Sequence, residues 1–238
     1  MGISAEKRGQ RHQLPELEVL DPPEPYVISL AEKAYLLLRD RIITLRLPPG
    51  SLLHESELAN EMQVGRTPVR EALKRLAEDS LVTILPRRGT FVTDININDI
   101  THISEIRVEL ESLAASLAAK RGTDQQKASL LAHAREHERV RDHPAQTQVI
   151  RSDINVHQHI HQSTQNPFLS DTLERYLILS VRLWFALLPR LERLRNAPMA
   201  RKTHLQIAEA ITAGDATEAK RLMRRHVSRF LGDFRRVL

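Results

Sequence analysis

The chain has 238 residues, enough for one large or two ordinary domains with sizeable cores. It is 41% hydrophobic but only 4% aromatic and holds eight glycines, a balance that favours packed helices over a sandwich or barrel; its formal charge of +5 suits a polyanionic partner without requiring one. With no cysteine it can form neither a disulfide nor a thiolate metal site, and with no signal peptide and no apolar run of about eighteen residues it is expected to work in the cytoplasm, away from membranes.

In chain order, residues 1–27 are polar and punctuated by Pro15, Pro22, Pro23 and Pro25, which predicts a mobile arm; its Lys7, Arg8 and Arg11 are more simply part of an unstructured leader than a DNA contact. Between residues 28 and 44, Leu30, Ala34, Leu37, Leu38 and Ile42 are spaced for an amphipathic helix that Pro48-Pro49-Gly50 stops. Next come two short helices joined by a tight turn at Gly65: Leu58, Ala59 and Met62 give the first an apolar face, and Val69, Ala72, Leu73 and Leu76 give the second another. Thr67 followed by Pro68 is a start signal, a capping hydroxyl before a ring pre-set for the first helical position, so the second helix is expected to begin at about Pro68. Arg66, Thr67 and Arg70 then lie on its opening turn, off the apolar face, where a recognition helix presents side chains to bases and phosphates. Residues 80–85 and 89–93 read as two β-rich runs around Pro86-Arg87-Arg88-Gly89, a hairpin whose two arginines suit phosphates or the minor groove. Helix pairs and basic hairpin tips are each commonplace in proteins that never touch DNA, but their order, spacing and charge together favour DNA contact.

Leu47-Pro48-Pro49-Gly50-Ser51-Leu52-Leu53, Glu57-Leu58-Ala59, Arg66-Thr67-Pro68-Val69-Arg70-Glu71-Ala72-Leu73 and Arg88-Gly89-Thr90-Phe91-Val92 make residues 28–93 resemble the winged helix-turn-helix of the GntR family of bacterial transcription regulators. The resemblance implies contacts to double-stranded DNA from Ser56, Arg66, Thr67, Arg70, Arg87, Arg88 and Gly89. Two positions depart from the family: Gly65 stands where it usually has Ser, which removes a hydroxyl from one phosphate contact, and Ser80 stands where it usually has Gly.

Residues 94–98 read as a linker, and from Asp99 the grammar changes to long helices. These are expected over about 99–120, 124–141, 146–164, 168–188, 199–213 and 215–237, with breaks at Arg121-Gly122, Asp142-His143-Pro144, Asn166-Pro167, Pro189, Ala197-Pro198 and Gly214-Asp215. The fold class is therefore mainly α: an N-terminal winged helix-turn-helix with a small β-hairpin wing, and a C-terminal all-α bundle whose interior is a natural ligand or metal site. Asp153 and His157, four residues apart, leave one helical face, while His204 and His226 fall on helices that the short Gly214-Asp215 connection makes antiparallel neighbours. Three imidazoles and a carboxylate can hold zinc, nickel or a similar divalent ion. Eleven histidines also invite chance pairings, so from spacing alone these side chains can equally be hydrogen-bonded or surface residues; His159 points away from Asp153, and His161 is either an extra neighbour or uninvolved.

Asp153-Ile154-Asn155-Val156-His157, Asn166-Pro167-Phe168, His204 with Ile207, Ala210 and Ile211, and Ala219, Met223 and His226, with Arg107-Val108-Glu109-Leu110-Glu111 before them, resemble the FCD ligand-binding domain of the FadR-type branch of that family over roughly residues 100–228. That resemblance implies a metal held by Asp153, His157, His204 and His226, a small carboxylate effector docked beside it, and Arg107 as the effector's charge partner. The residues alone offer a second reading of Arg107, an ion pair with Glu111 across one helical turn. Together these readings predict a DNA-binding transcription regulator and not an enzyme, a repressor acting as a homodimer on a palindromic operator. The alternatives are a metal-dependent enzyme acting on a small carboxylate, since such a metal can activate water, and a nucleoid-type DNA binder with no ligand.

Overall fold

The computed structural model describes residues 28–96, 98–139, 146–191 and 201–235. The arm expected over residues 1–27 lies outside them, as do the breaks at Asp142-His143-Pro144 and Ala197-Pro198. Helix α1 (Leu30–Ile43) starts where Ser29 Oγ accepts from the Glu32 amide at 3.0 Å, and it buries Ala34, Leu38, Ile42 and Ile43 against the two helices that follow. Those are α2 (Glu55–Glu61) and α3 (Arg66–Glu78), whose apolar faces bury Leu58, Ala59, Val69, Ala72, Leu73 and Leu76. Helix α3 begins two residues before the expected Pro68: Gly65 occupies the cap with no side-chain hydrogen bond, and Thr67 lies inside the first turn instead of capping it. The first helical amides have no intrahelical partner, so Pro68 is tolerated as the third helical residue just as it would be at the first.

The hairpin forms as β2 (Val82–Leu85) and β3 (Gly89–Val92), with a third strand, β1 (Leu52–Leu53), that the sequence did not announce. The antiparallel order is β1-β3-β2, with Phe91 opposite both Leu52 and Thr83. Gly89 has φ +109, and a Cβ there would lie 2.7 Å from the Leu52 side chain, so the start of β3 needs glycine.

The rest is helical: α4 (Asp99–Arg121), α5 (Asp124–Arg139), α6 (Gln146–Gln162), α7 (Pro167–Leu191), α8 (Arg201–Thr212) and α9 (Ala216–Arg235). Their starts are written locally. Thr123 and Gln126 cap α5 reciprocally, and Asp215 Oδ1 accepts from the Glu218 amide at 2.9 Å to start α9. Ala114, Ala115, Ala118 and Ala119 are buried on α4, small enough to let neighbouring helices pack close. Helix α7 continues past Pro189, an expected break, because burial of Leu183, Trp184 and Leu187 just before it outweighs the local signal.

The N-terminal helices share a core with the bundle: Ile150 and Ile154 of α6 and Ile178 and Trp184 of α7 belong to the same buried cluster as Leu38 and Leu73. Polar ties cross the same boundary. Arg175 Nη2 donates to Ser80 Oγ at 2.6 Å, Arg182 Nη1 donates to Thr93 Oγ1 at 2.7 Å, and Glu174 faces Arg39 at 3.8 Å while accepting from Gln158 Nε2 at 3.0 Å. No helix among the described residues is long and apolar enough to cross a membrane.

Candidate nucleic-acid interface and metal centre

The apolar residues of α3 turn inward at a helical spacing, which leaves Arg66, Thr67 and Arg70 exposed on the opposite side. Arg87, Arg88 and Gly89 are exposed at the tip of the wing, and Ser56 is half-buried on α2. The structure adds a residue that sequence reasoning missed. Glu55 on α2 accepts from Arg70 through both Nε at 3.2 Å and Nη2 at 2.8 Å, so the guanidinium is held across the turn before any DNA arrives. The hydrogen bond from Arg70 holds the Glu55 carboxyl below its ordinary value, so the pair is ionised at neutral pH.

In the bundle, α6, α8 and α9 bring Asp153, His157, His204 and His226 together, one candidate ligand atom from each lying within 4.8 Å of the others. His204 Nε2 is 3.4 Å from His157 Nε2 and 3.5 Å from Asp153 Oδ1. The three histidines are buried, at 9% exposure or less, and Asp153 is partly exposed. Burial, reinforced by neighbouring imidazoles, holds the His204 and His226 rings well below their usual 6.5, so both are neutral at pH 7. Imidazole nitrogens and one carboxylate converging in a buried place fit a divalent ion, and Nδ1 of His226 is buried there with no hydrogen-bond partner. His159 is elsewhere, its ring 4.0 Å from that of His133.

Behind this group lies a second one. Glu111 on α4 meets Nδ1 of His157 at 3.1 Å and Nε2 of His161 at 3.1 Å, and it pairs with Arg107 Nη2 at 2.6 Å. Burial pushes the Glu111 carboxyl up, but His157, His161 and Arg107 outweigh it and hold the group well below the usual carboxylate range. The ion pair that the residues alone allowed for Arg107 is therefore present. Sequence reasoning missed Glu111 as a neighbour of the candidate ligands because its helical partner Arg107 already accounts for it; the one available signal was an acidic residue on an otherwise alanine-rich face. A cleft of about 490 Å³ between the linker and α7, lined by Leu45, Asp94, Ile100 and Leu187 among others, contains none of these groups.

Comparison with known proteins gives this geometry its context. Residues 30–92 match the bacterial regulatory proteins of the gntR family and residues 102–229 match the FCD domain. The chain belongs to the GntR family, in its FCD-bearing, FadR-type branch. A curated GntR-type relative, the HTH-type transcriptional repressor RspR of Escherichia coli strain K12, is 27% identical over 218 residues, which cover 92% of each chain. Among solved structures, E. coli McbR/YncC superposes with a TM-score of 0.72 at 21% identity over 88% of this chain and 98% of that one, a likeness of fold. A transcriptional regulator GntR from Rhodococcus sp. RHA1 does so with a TM-score of 0.65 at 26% identity over 87% and 98%. As a GntR protein the chain is a DNA-binding transcription regulator and not an enzyme. The departure from the usual family glycine also acquires a physical meaning, because Ser80 adopts φ 63, the left-handed region that glycine enters without cost.

Proposed function

We propose that the protein is a repressor whose bundle, residues 99–238, holds a divalent ion, zinc or nickel, and senses a small organic acid, while residues 28–93 grip a palindromic operator as one half of a homodimer. The observation that carries this reading is the convergence of Asp153, His157, His204 and His226 on three helices, one of which, α6, also packs Ile150 and Ile154 into the core beneath the DNA-binding helices. The ion, when bound, supplies a Lewis-acidic anchor for a carboxylate. Arg107 spends Nε and Nη2 on Glu111, which leaves Nη1 to meet the effector's other oxygens.

Arg66 and Arg70 are the groups for base edges, Ser56, Thr67 and the amide of Gly89 for phosphates, and Arg87 and Arg88 for phosphate or the minor groove. Dimer formation is supported by Ile106 and Leu113, exposed at 38% and 43% and two turns apart on α4. A dimer must match half-sites about one DNA turn apart, so a small movement of α6 passed through Glu174 and Arg39 to α1 is enough to change operator affinity. The repressor sign follows RspR.

The test is purification of His204→Ala and His226→Ala, measurement of bound metal by mass spectrometry, and titration of operator DNA in the presence of a panel of small carboxylates. Metal content and the response to carboxylate are expected to fall together while basal operator binding stays. Full metal content in both variants, or a normal response in rigorously metal-free protein, refutes the reading.

A further inference from the structure

Glu111 has no exposed surface, and both of its oxygens are used. Oε1 accepts from Arg107 at 2.6 Å, while Oε2 lies 3.1 Å from a nitrogen of His157 and 3.1 Å from a nitrogen of His161. An ionised carboxylate has no proton to give, so each imidazole nitrogen facing it must be the donor. His157 therefore carries a proton on Nδ1, and in the neutral form that ligation requires its lone pair lies on Nε2, the atom 3.4 Å from His204 Nε2. His161 is fixed in the opposite sense, with its proton on Nε2 and its Nδ1 buried without a partner.

Glu111, His157 and His161 also lie close enough together to be considered as ligands of a second ion. Two facts oppose that. Arg107 already delivers a positive charge to the same carboxylate, and a second dication in a fully buried place would leave that charge uncompensated.

We infer that Glu111 is the positioning residue of the metal centre: it fixes His157 as the Nδ1–H tautomer with Nε2 turned to the ion, while His161 braces the carboxylate and stays outside the coordination sphere. The inference rests on the metal-binding reading given above. A carboxylate behind a ligating imidazole both orients the ring and raises its basicity, and its removal typically costs about 10- to 100-fold in metal affinity.

The experiment is zinc titration of metal-stripped protein in competition with a chromophoric chelator, for the wild type and for His204→Ala, Glu111→Ala, Glu111→Gln and His161→Ala. Glu111→Ala is expected to bind zinc about 10- to 100-fold more weakly with operator affinity unchanged, and Glu111→Gln, whose amide oxygen can still accept from Nδ1, to recover much of the loss. Should Glu111→Ala fail to fold because Arg107 is stranded, the Arg107→Met/Glu111→Ala pair removes both charges and is read in its place. Nitrogen-15 spectra of the metal-free wild type should show His157 protonated at Nδ1 and His161 protonated at Nε2, and the His157 preference should be lost in Glu111→Ala. Wild-type zinc affinity in Glu111→Ala, or a His157 proton on Nε2, overturns the inference while leaving the metal centre in place. Two zinc ions per chain, one of them lost in His161→Ala, overturns it in favour of a dinuclear site. A wild type that binds zinc no better than His204→Ala removes the metal-binding reading itself.

Discussion

Arg66, Thr67, Arg87 and Arg88 stand in solvent on a small head, whereas His157, His204 and His226 lie at 9% exposure or less on α6, α8 and α9. Arg66, Thr67, Arg87 and Arg88 are exposed and Arg70 is tied only to Glu55 on the neighbouring helix, so each of these DNA-facing side chains should be removable singly. The histidines are both site and interior: His157 touches Glu111 on α4, and His204 lies 4.8 Å from the His137 ring on α5. A change there reaches the proposed ligation and the packing together. The exposed DNA-facing residues are thus expected to respond to substitution additively, and the buried histidines cooperatively.

The largest expected effect lies on the buried side. In metal-free protein the folded state keeps His204 and His226 neutral well below their ordinary 6.5, mainly through burial, whereas the unfolded chain protonates them near that value. As the pH falls below about 6.5 the unfolded state binds more protons, and each histidine should remove about 1.4 kcal/mol of folding free energy per pH unit until its folded value is reached. Both together amount to about 3 kcal/mol for one unit. Urea denaturation of chelator-treated protein between pH 7 and pH 5 measures this; saturating zinc should raise stability without flattening the slope, since the ion binds only the neutral rings and leaves the unfolded chain to take up the protons. A flat profile in the metal-free protein would mean that these rings are not shielded.

Next in size is the head. Arg66→Ala and Arg70→Ala should each cost about 1 to 3 kcal/mol of operator-specific binding with circular dichroism and melting temperature unchanged, because neither side chain is buried. Gel-shift titration against competitor DNA gives the number. A loss of helical signal in either variant would erase the contrast between the two regions, and unchanged specificity in both would remove α3 from the readout.

The same contrast explains what the sequence showed and what it withheld. Helix limits were legible because their signals are local: Ser29, Thr123 and Asp215 act within one turn. The grouping of Asp153 with His157 followed from helical periodicity, and that of His204 with His226 from a short connection. Glu111 and Glu55 were hidden because their partners come from other elements: His157 is 46 residues from Glu111, and Arg70 is 15 residues from Glu55. Strand β1 escaped because two residues carry no periodicity, and Pro189 misled because burial of α7 overrides a local breaker.

A smaller effect is expected at the wing. Arg87 and Arg88 are exposed at its tip, and each phosphate they neutralise releases about one counterion. The Arg87→Ala/Arg88→Ala pair should flatten the slope of log affinity against log salt by up to about two, with basal stability untouched. An unaltered slope would make the wing a bystander and confine recognition to α3.

The smallest effect tests the seam between the two regions. Ser80 closes the turn after α3 with φ 63, and a non-glycine residue in that region costs about 1 to 2 kcal/mol. Two things offset this cost. Serine restricts the unfolded chain more than glycine does, by about 0.4 to 1 kcal/mol, and Ser80 Oγ accepts a hydrogen bond from Arg175 of α7 at 2.6 Å, worth about 1 kcal/mol or less at the surface. Ser80→Gly should therefore change stability little in the wild type but raise it by up to about 1 kcal/mol in an Arg175→Ala background, where the bond is already gone. A urea double-mutant cycle over the four proteins yields the coupling. Zero coupling would mean that Arg175 does not tie the head to α7, so that the connection rests on the shared apolar core and on contacts such as those of Arg182 and Glu174. A Ser80→Gly that destabilises the Arg175→Ala protein would show that the turn is not held in the left-handed region.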